Sequence, residues 1–478
     1  MSEPLRIMIA AGGTGGHVFP AIAIADAICG ERPDTRFLFV GTRNRMEWKT
    51  VPAAGYDIAP IWISGLHRRL TLKNLLFPLK LVVSLWQSRR LVRRFRPHAV
   101  ISCGGFVAGP VGWVSARLGI PLFLQEQNSF PGVTNRKLAP KAEQIFTAFT
   151  EAEKWFPKEK IILAGNPVRQ GLIRKMQDPA FPEQARRHFG LDKERPVLLV
   201  MGGSGGAKSV NDAMLKNLDT LLKDGIQVIW QCGDVYLGEI RRQLGMDESG
   251  VDARKAGTTN AATADDAAGT PAKAGTPAKA GTPAKAGTPA KAGTPAKAGT
   301  PAKAGTPAKA GTPASTNEKY QNLRLYGFMD DITEAWAAAD LIVSRAGAIT
   351  CSELLATGKA GILVPSPHVA GDHQTHNARS LADQGAALLL KDSDLAEELP
   401  GKVRSLIHDP AQRALMQQQA QKMAKKDAAS GIARHILERI GAGNENHDVG
   451  RSAASSPSSN PSSNPSSNQN IKNSNTTA

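Results

Sequence analysis

The chain has 478 residues and carries 59 Lys and Arg against 42 Asp and Glu, which gives a net charge of +17. Four widely spaced cysteines without a CxxC pair exclude a disulfide framework and a thiolate zinc site, and favour reduced core thiols of a cytosolic protein. A start without a basic segment, apolar run and cleavage site excludes a signal peptide, and no uncharged apolar run of about 18 residues predicts a transmembrane helix.

Short, mostly continuous apolar runs alternate with helical patterns, as is typical of parallel strands covered on both faces. In the first half, strands are predicted at 6–10, 36–40, 98–102, 121–125, 144–148 and 161–165, with helices at 19–29 and 79–95. In the second half, strands are predicted at 197–203, 227–231, 323–327, 341–345, 361–365 and 387–390. The repeated order predicts an α/β protein with two doubly wound, Rossmann-like domains facing a cleft.

The sequence AGNPVR marks the predicted boundary between these domains, which we place at 1–165 and 166–414. Residues 247–316 interrupt the second domain with seven AGTPAK units. A proline in every sixth position forbids a regular helix, and no large side chain is available to bury, so we expect a disordered insert. It is either a tolerated loop expansion, which we favour, or a tether for acidic surfaces.

The C-terminal part of the chain is predicted as a helix over 415–442 and a disordered tail over 443–478 that is rich in Ser, Asn and Pro. Ile432, Ile436 and Ile440 form a narrow apolar stripe on this helix. A stripe of this kind needs a partner surface inside the fold.

Three glycine-rich turns follow predicted strands: GGTGGH (12–17), CGGFVAG (103–109) and GGSGGAKS (202–209). Glycine lets backbone amides approach an anion closely, and the start of a helix adds partial positive charge. One such turn also suits an ordinary strand–helix connection, but three at strand ends predict a cleft that binds more than one phosphate group.

The type of nucleotide is narrowed by two mismatches. The second strand ends in VGTRN, without the carboxylate that would bind the ribose of a nicotinamide cofactor. Ala207 replaces the glycine that the P-loop pattern requires before Lys208, which disfavours a P-loop NTPase.

Polar residues also follow strands of the second half. Glu353, in the first turn of a predicted helix, could complement the helix dipole or accept both hydroxyls of a ribose. Asp372, Gln374 and Asn377 could either cap a loop or bind sugar hydroxyls. The spacing of the nearby histidines does not match a helical zinc site, so surface histidines are favoured; they are His368, His373 and His376.

Residues 58–125 contain no Asp or Glu but ten Lys and Arg, interleaved with leucines, Val83 and Trp86. The apolar residues suit either a helix packed on the sheet or a helix on a membrane. The absence of acidic residues favours an anionic membrane surface, bound through 66–96. Nucleic acid ranks third, since only 5% of the chain is aromatic.

Together these motifs resemble one group of the GT-B glycosyltransferase family, the membrane-associated enzymes that add N-acetylglucosamine (GlcNAc) to lipid I in peptidoglycan synthesis. The resemblance is carried in chain order over about 1–247 and 317–442 by GGTGGHVFP, CGGFVAGP, EQN, GNPVR, GGSGGAKS, GFMDD, RAGAIT with SE, and HQ with Asn377. It implies a two-domain fold, the substrates UDP-GlcNAc and lipid I, and no essential metal or other cofactor. It also implies a peripheral location on the cytoplasmic face of the inner membrane and contacts with other proteins of cell-wall synthesis, but no nucleic acid.

The resemblance assigns roles residue by residue. On the N-terminal side of the cleft, the donor would contact Thr14, Gly15, Gly16 and Asn128. On the C-terminal side, Arg169 and Ser204 would face the diphosphate, Met329 would meet the uracil through its backbone, and Gln374 would bind the GlcNAc hydroxyls. The nucleotide would be lined by Ala348, Ile349, Thr350, Cys351, Ser352 and Glu353, with Glu353 on the ribose.

The implied reaction is an inverting transfer from UDP-GlcNAc to the C4 hydroxyl of lipid I, and it needs one base. His17 is the first candidate, since a neutral imidazole is competent near pH 7, and Glu126 is the second. The diphosphate of the acceptor would sit on Gly13, Gly104 and Gly105. The chain departs from the family pattern at Gly205, where glutamine is frequent, and at Phe106, where tyrosine is frequent.

Overall fold

The computed structural model describes residues 3–65, 76–203, 205–246 and 318–452. A seven-stranded parallel sheet in the order β3-β2-β1-β4-β5-β6-β7 forms the centre of the N-terminal domain. Its strands are β1 (Arg6–Ala10), β2 (Arg36–Gly41), β3 (Ile58–Pro60), β4 (Ala99–Ser102), β5 (Leu122–Glu126), β6 (Gln144–Thr147) and β7 (Ile161–Leu163). Its helices are α1 (Gly15–Glu31), α2 (Glu47–Ala53), α3 (Phe77–Phe95), α4 (Gly105–Arg117) and α5 (Val133–Leu138).

A six-stranded parallel sheet in the order β10-β9-β8-β11-β12-β13 forms the centre of the second domain. Its strands are β8 (Val197–Met201), β9 (Gln227–Gln231), β10 (Leu323–Tyr326), β11 (Leu341–Arg345), β12 (Ala360–Val364) and β13 (Leu388–Leu389). The helices that follow β7 are α6 (Gln170–Met176), α7 (Phe181–His188), α8 (Lys208–Lys223), α9 (Asp234–Gln243), α10 (Thr333–Ala338), α11 (Ala348–Thr357), α12 (His373–Ala382), α13 (Leu395–Ile407), α14 (Pro410–Met423) and α15 (Ala428–Ser452).

Helices cover both faces of both sheets, and each face has its own apolar core. This explains why the strands are continuous apolar runs, and the predicted fold class of two doubly wound domains is confirmed. The short edge strand β3 was not predicted, because a three-residue segment that ends at Pro60 carries almost no pattern. None of the helices within the described parts of the chain is long and apolar enough to cross a membrane.

Three helix boundaries differ from the predictions. The helix predicted at 19–29 begins at Gly15, so Pro20 lies inside α1 rather than in its first turn. The helix predicted at 415–442 is two helices, α14 and α15, because Ala424 adopts an extended backbone. The backbone of α15 continues to Ser452, into the predicted tail. The insert at 247–316 and the rest of the tail lie outside the described residues.

Two passages of the chain between the domains lie side by side. Gly165 has a φ of +84°, and a Cβ placed on it would lie 2.4 Å from the Cβ of Lys425, between α14 and α15. Beyond this point α15 packs on α1, with Ile432 and Ile436 fully buried in the core that also holds Ile24. The apolar stripe of the last helix therefore has its partner surface in the N-terminal domain.

Candidate functional site

The glycine-rich turns lie where the strand order reverses. The first turn follows β1 and the second follows β4, which are neighbouring strands whose connections run in opposite directions. The third turn follows β8, and the start of α11 follows the neighbouring strand β11. Ligands of open α/β sheets bind outside the carboxyl ends of the strands at such a reversal, so each domain offers one half of a site.

His17 lies on the first turn, near the start of α1. Its Nδ1 is 3.0 Å from the hydroxyl of Thr14, and its ring covers Gly104 so closely that a Cβ there would lie 2.8 Å from the ring Cδ2. Burial of the ring, with His373 of the other domain nearby, lowers the pKa of His17 to about 4. The half-buried imidazole is therefore neutral near pH 7 and faces the cleft between the domains.

Glu47, from α2, lies beneath the first turn and was not predicted. Its fully buried carboxylate accepts hydrogen bonds from the amide of Gly13 at 3.2 Å and from the amide and hydroxyl of Thr42 at 3.1 and 2.8 Å. Gly13, which is predicted to contact the acceptor diphosphate, therefore already donates its amide to a carboxylate of the protein. The second strand has no carboxylate in its own end sequence, VGTRN, but the carboxylate of Glu47, five positions beyond Thr42, reaches the end of β2.

The second turn packs directly on the first. Gly104 and Gly105 have φ values of +93° and +80°, and a Cβ on Gly105 would lie 2.3 Å from the carbonyl oxygen of Gly12. Both positions therefore require glycine, for the left-handed backbone and for the close approach. Gly15 and Gly16 are part of α1, and a Cβ on Gly15 would meet Phe19 at 3.0 Å.

Glu126, the second candidate base, anchors the loop that follows β5. One carboxylate oxygen accepts from the backbone and side-chain amides of Asn128 at 3.0 and 3.3 Å. The other accepts from Gly132 N at 3.1 Å and from Asn135 Nδ2 at 2.9 Å. Burial raises the pKa of Glu126 despite these four donors. With both oxygens occupied, the geometry favours a positioning role for Glu126 over proton abstraction.

Side-chain amides link the two domains across the cleft. Asn377 accepts from the amide of Ser129 at 3.0 Å and donates to Asn128 Oδ1 at 3.2 Å. Asn166 donates to Gln127 O and to the hydroxyl of Ser352, both at 2.9 Å. Asn128 and Ser352, two predicted donor contacts, are thereby placed at the boundary. Asn166 was not predicted as a site residue, although it lies in the GNPVR motif.

The third turn leads into α8 as predicted. Gly203 and Gly206 have φ values of +87° and +75°, and no side chain caps the start of α8 at Ala207. Lys208 pairs with Asp212 along the outside of α8 at 2.6 Å rather than turning back over the loop. Ser204, predicted to face the diphosphate, lies outside the described residues.

Gln231, at the end of β9, connects the third turn to the segment predicted to bind the uracil. It accepts from the amide of Met329 at 3.2 Å and donates to Gly203 O at 3.4 Å. The amide of Met329 therefore already has a partner within the protein. Gln231 carried no signal in the sequence because it looks like an ordinary buried strand residue.

Glu353 and Arg169 form an ion pair at 2.6 Å in which Glu353 is 5% and Arg169 39% exposed. Because α11 begins at Ala348, Glu353 lies in its second turn, so the alternative that it complements the helix dipole is wrong. Cys351 is fully buried, and burial raises the pKa of its thiol to about 12. The side chain of Cys351 is therefore not accessible to a ligand, whereas Ile349 and Thr350 are partly exposed.

Gln374 lies at the start of α12, where its Oε1 accepts from the amide of Ser366 at 2.8 Å. Among the residues that the structure describes, its amide nitrogen has no protein partner, so this group can meet a ligand. His376 stacks on Phe130 of the N-terminal domain, with ring centroids 5.2 Å apart. Among the residues that the structure describes, no three His, Cys, Asp or Glu side chains converge as a metal site would.

Comparison with known proteins matches both domains and most of the chain. The glycosyltransferase family 28 N-terminal domain matches residues 7–147 and the C-terminal domain of the same family matches 305–432. The UDP-N-acetylglucosamine–N-acetylmuramyl-(pentapeptide) pyrophosphoryl-undecaprenol N-acetylglucosamine transferase of Phocaeicola vulgatus is 37% identical over 92% of this chain and 97% of its own length. The enzyme of the same name from Salinibacter ruber is 38% identical over 90% and 96%.

The fold has a counterpart among solved structures. The crystal structure of Acinetobacter baumannii MurG matches with a TM-score of 0.60 and 23% identity, over 91% of this chain and 100% of that chain. The chain belongs to glycosyltransferase family 28 and, within it, to the family of UDP-N-acetylglucosamine–N-acetylmuramyl-(pentapeptide) pyrophosphoryl-undecaprenol N-acetylglucosamine transferases.

Proposed function

We infer that this protein is a glycosyltransferase that moves GlcNAc from UDP-GlcNAc to the C4 hydroxyl of lipid I, with inversion at the anomeric carbon, and so produces lipid II for peptidoglycan synthesis. The observation that carries this inference is the identity of 37% to the Phocaeicola vulgatus enzyme over 97% of that enzyme's length. The cleft supports it, since half-sites of both domains meet there.

The C-terminal domain holds the donor in this proposal. The uncapped start of α8 and the third turn face the departing diphosphate with amides and partial positive charge. Glu353 accepts hydrogen bonds from the ribose, which requires Arg169 to move from Glu353 toward the diphosphate. The free amide nitrogen of Gln374 binds the sugar, and the carbonyl of Met329 meets the uracil. These groups need no metal to stabilise the leaving charge.

His17 takes the proton of the attacking hydroxyl. Its imidazole is neutral and at the cleft, and Thr14 orients the ring through Nδ1. Binding of an anionic donor beside it raises its pKa, so its basicity increases when the substrate is present. Asn128, held by Glu126, lies across from these residues and lines the donor's sugar.

The enzyme works as a peripheral protein on the cytoplasmic face of the inner membrane. The first part of the predicted surface, 66–75, lies outside the described residues, but α3 carries the remainder. On α3 the structure exposes apolar and basic side chains together: Leu79, Val82, Trp86, Arg89 and Arg90. A surface of this composition binds an anionic lipid interface.

Release of UDP from UDP-GlcNAc, measured with lipid I or diacylglycerol as acceptor, tests the function directly. We expect UDP release when lipid I is the acceptor and none when diacylglycerol is the acceptor. Release only with diacylglycerol would favour a related enzyme with another lipid acceptor, and binding of UDP-GlcNAc without release would favour a catalytically inactive scaffold. His17→Ala is the matched variant: near-normal turnover with intact donor binding would remove His17 from the mechanism.

A further inference from the structure

A cavity of about 470 Å³ lies beside the first glycine turn, at the carboxyl ends of β2 and β3, and α3 closes its other side. Three cations line it, Arg43, Arg45 and Lys80, together with the ring of Trp62. No acidic residue is among the lining residues. The cavity therefore has the charge and shape of a site for an anion of low molecular weight.

Within the described residues, no carboxylate neutralises the cations of this cavity. In the part of the chain that the structure describes, neither Arg43 nor Arg45 has a carboxylate partner. Lys80 Nζ meets the hydroxyl of Ser64 at 3.1 Å and the ring of Trp62 at 5.8 Å. Both of these partners are uncharged, so the positive charge of all three cations stays available for a ligand.

The position of the cavity connects the proposed membrane surface to the reacting groups. Phe106 forms one wall, and the same ring lies 3.1 Å from where a Cβ on Gly13 would be, so this ring contacts both the cavity and the first turn. On the opposite side, Lys80 and Gln87 come from α3, which exposes apolar residues outward. In an acceptor whose lipid lies on α3 and whose sugar lies at His17, the diphosphate that joins lipid and sugar must pass through this region.

The first turn is the poorer of the two places for that connecting group. Glu47 occupies the amide of Gly13, and its buried carboxylate would repel a second anion placed on the same turn. The cavity lies close to that turn and is lined by three cations and no acidic side chain, although Glu47 also accepts from Thr42 at the edge of the cavity. Guanidinium groups bind phosphates through paired, charge-assisted hydrogen bonds.

We propose that the cavity lined by Arg43, Arg45 and Lys80 binds the diphosphate of the lipid-linked acceptor, an inference that rests on the proposed function. The diphosphate lies between the membrane helix and Phe106, and the muramyl sugar reaches past Phe106 to His17. The second turn, Gly104 and Gly105, then approaches the sugar end of the acceptor rather than its diphosphate.

The test compares two double variants of the full chain in detergent micelles, where no lipid surface contributes. Arg43→Gln with Arg45→Gln removes two charges from the cavity. Arg36→Gln with Lys49→Gln removes two exposed charges from the same domain, at the far end of β2 and on α2, and is the matched control. We expect the cavity variant to raise the KM for lipid I about tenfold or more, with an unchanged KM for UDP-GlcNAc. The control variant should leave both constants unchanged.

One further acceptor distinguishes the diphosphate of lipid I from the carboxylates of its peptide. A lipid I analogue without the peptide should show the same rise in KM, since its diphosphate is intact. A rise that disappears with this analogue would overturn the proposal in favour of the carboxylates of the peptide. An equal rise in the control variant, or no rise in the cavity variant, would overturn it as well.

Binding without turnover separates this proposal from the proposed function. A short-chain prenyl diphosphate should quench the fluorescence of Trp62, measured as the difference between the wild type and Trp62→Phe, and the cavity variant should weaken this binding about tenfold or more. Weakened binding in a protein that transfers nothing to lipid I would refute the function and leave the cavity assignment standing. Equal binding by wild type and cavity variant would refute the cavity assignment alone.

Discussion

The lowered pKa of His17 predicts how the free energy of unfolding changes with pH. The fall of its pKa from 6.5 to about 4 corresponds to about 3.4 kcal/mol, at about 1.36 kcal/mol per pKa unit. Because the ring is only half-buried, solvent screens part of this free energy. We therefore expect neutral His17 to contribute about 1.5–2 kcal/mol to the free energy of unfolding. Between pH 6.5 and 4 the unfolded chain binds a proton at His17 that the folded chain does not, so this stability is lost as the pH falls through that window.

His17→Gln removes the contribution, so the variant should lose about 1.5–2 kcal/mol less stability than the wild type between pH 7 and pH 4. Urea unfolding of both proteins at several pH values measures the difference.

For the wild-type enzyme, the acidic limb of the pH profile of kcat/KM should be centred well below pH 6.5. The acidic limb of the kcat profile should lie at higher pH, because bound donor raises the pKa of His17. A kcat/KM limb centred near pH 6.5, or equal acid sensitivity of the two proteins, would refute the reasoning.

Three other changes have distinct expected outcomes. Glu126→Ala should lower kcat and destabilise the protein by about 3 kcal/mol, because four donors lose their acceptor. Glu126→Gln should keep more of the kcat and more of the stability. Equal kcat values and equal denaturation midpoints for the two variants would contradict the role of Glu126 as the anchor of its loop. Arg169→Ala should leave Glu353 as an unpaired buried carboxylate, so the free energy of unfolding measured in urea should fall by about 2 kcal/mol. The same variant should raise the KM for UDP-GlcNAc. Arg169→Lys should restore the stability but not the KM. Deletion of 256–314 should leave transfer to lipid I intact, and a large loss of turnover in a folded deletion would assign the repeat a further role.

The sequence was most informative where local chemistry determines local structure. The glycine turns and most strands were predicted because glycine and continuous apolar runs constrain the backbone directly. Glu47 was not predicted, since its carboxylate reaches the first turn from a different helix and serves backbone amides that no pattern records. Asn166 and Asn377 link the domains only because of how the domains are arranged, which no local signal contains. Gln231 was missed for the same reason, since its partners come from two separate loops.

The close packing of Gly165 on Lys425 has a mechanical consequence. The polypeptide passes between the domains at these two neighbouring points, so the covalent connections act as one pivot and leave rotation about it as the least constrained relative motion. Such a rotation would open the cleft at His17 while α15 stays seated on α1, and it would have to break the amide contacts of Asn377 and the stacking of His376 on Phe130 at the rim. A side chain at position 165 would wedge this pivot, and the enzyme would then be impaired in admitting and releasing its substrates without any change to the groups that react with them.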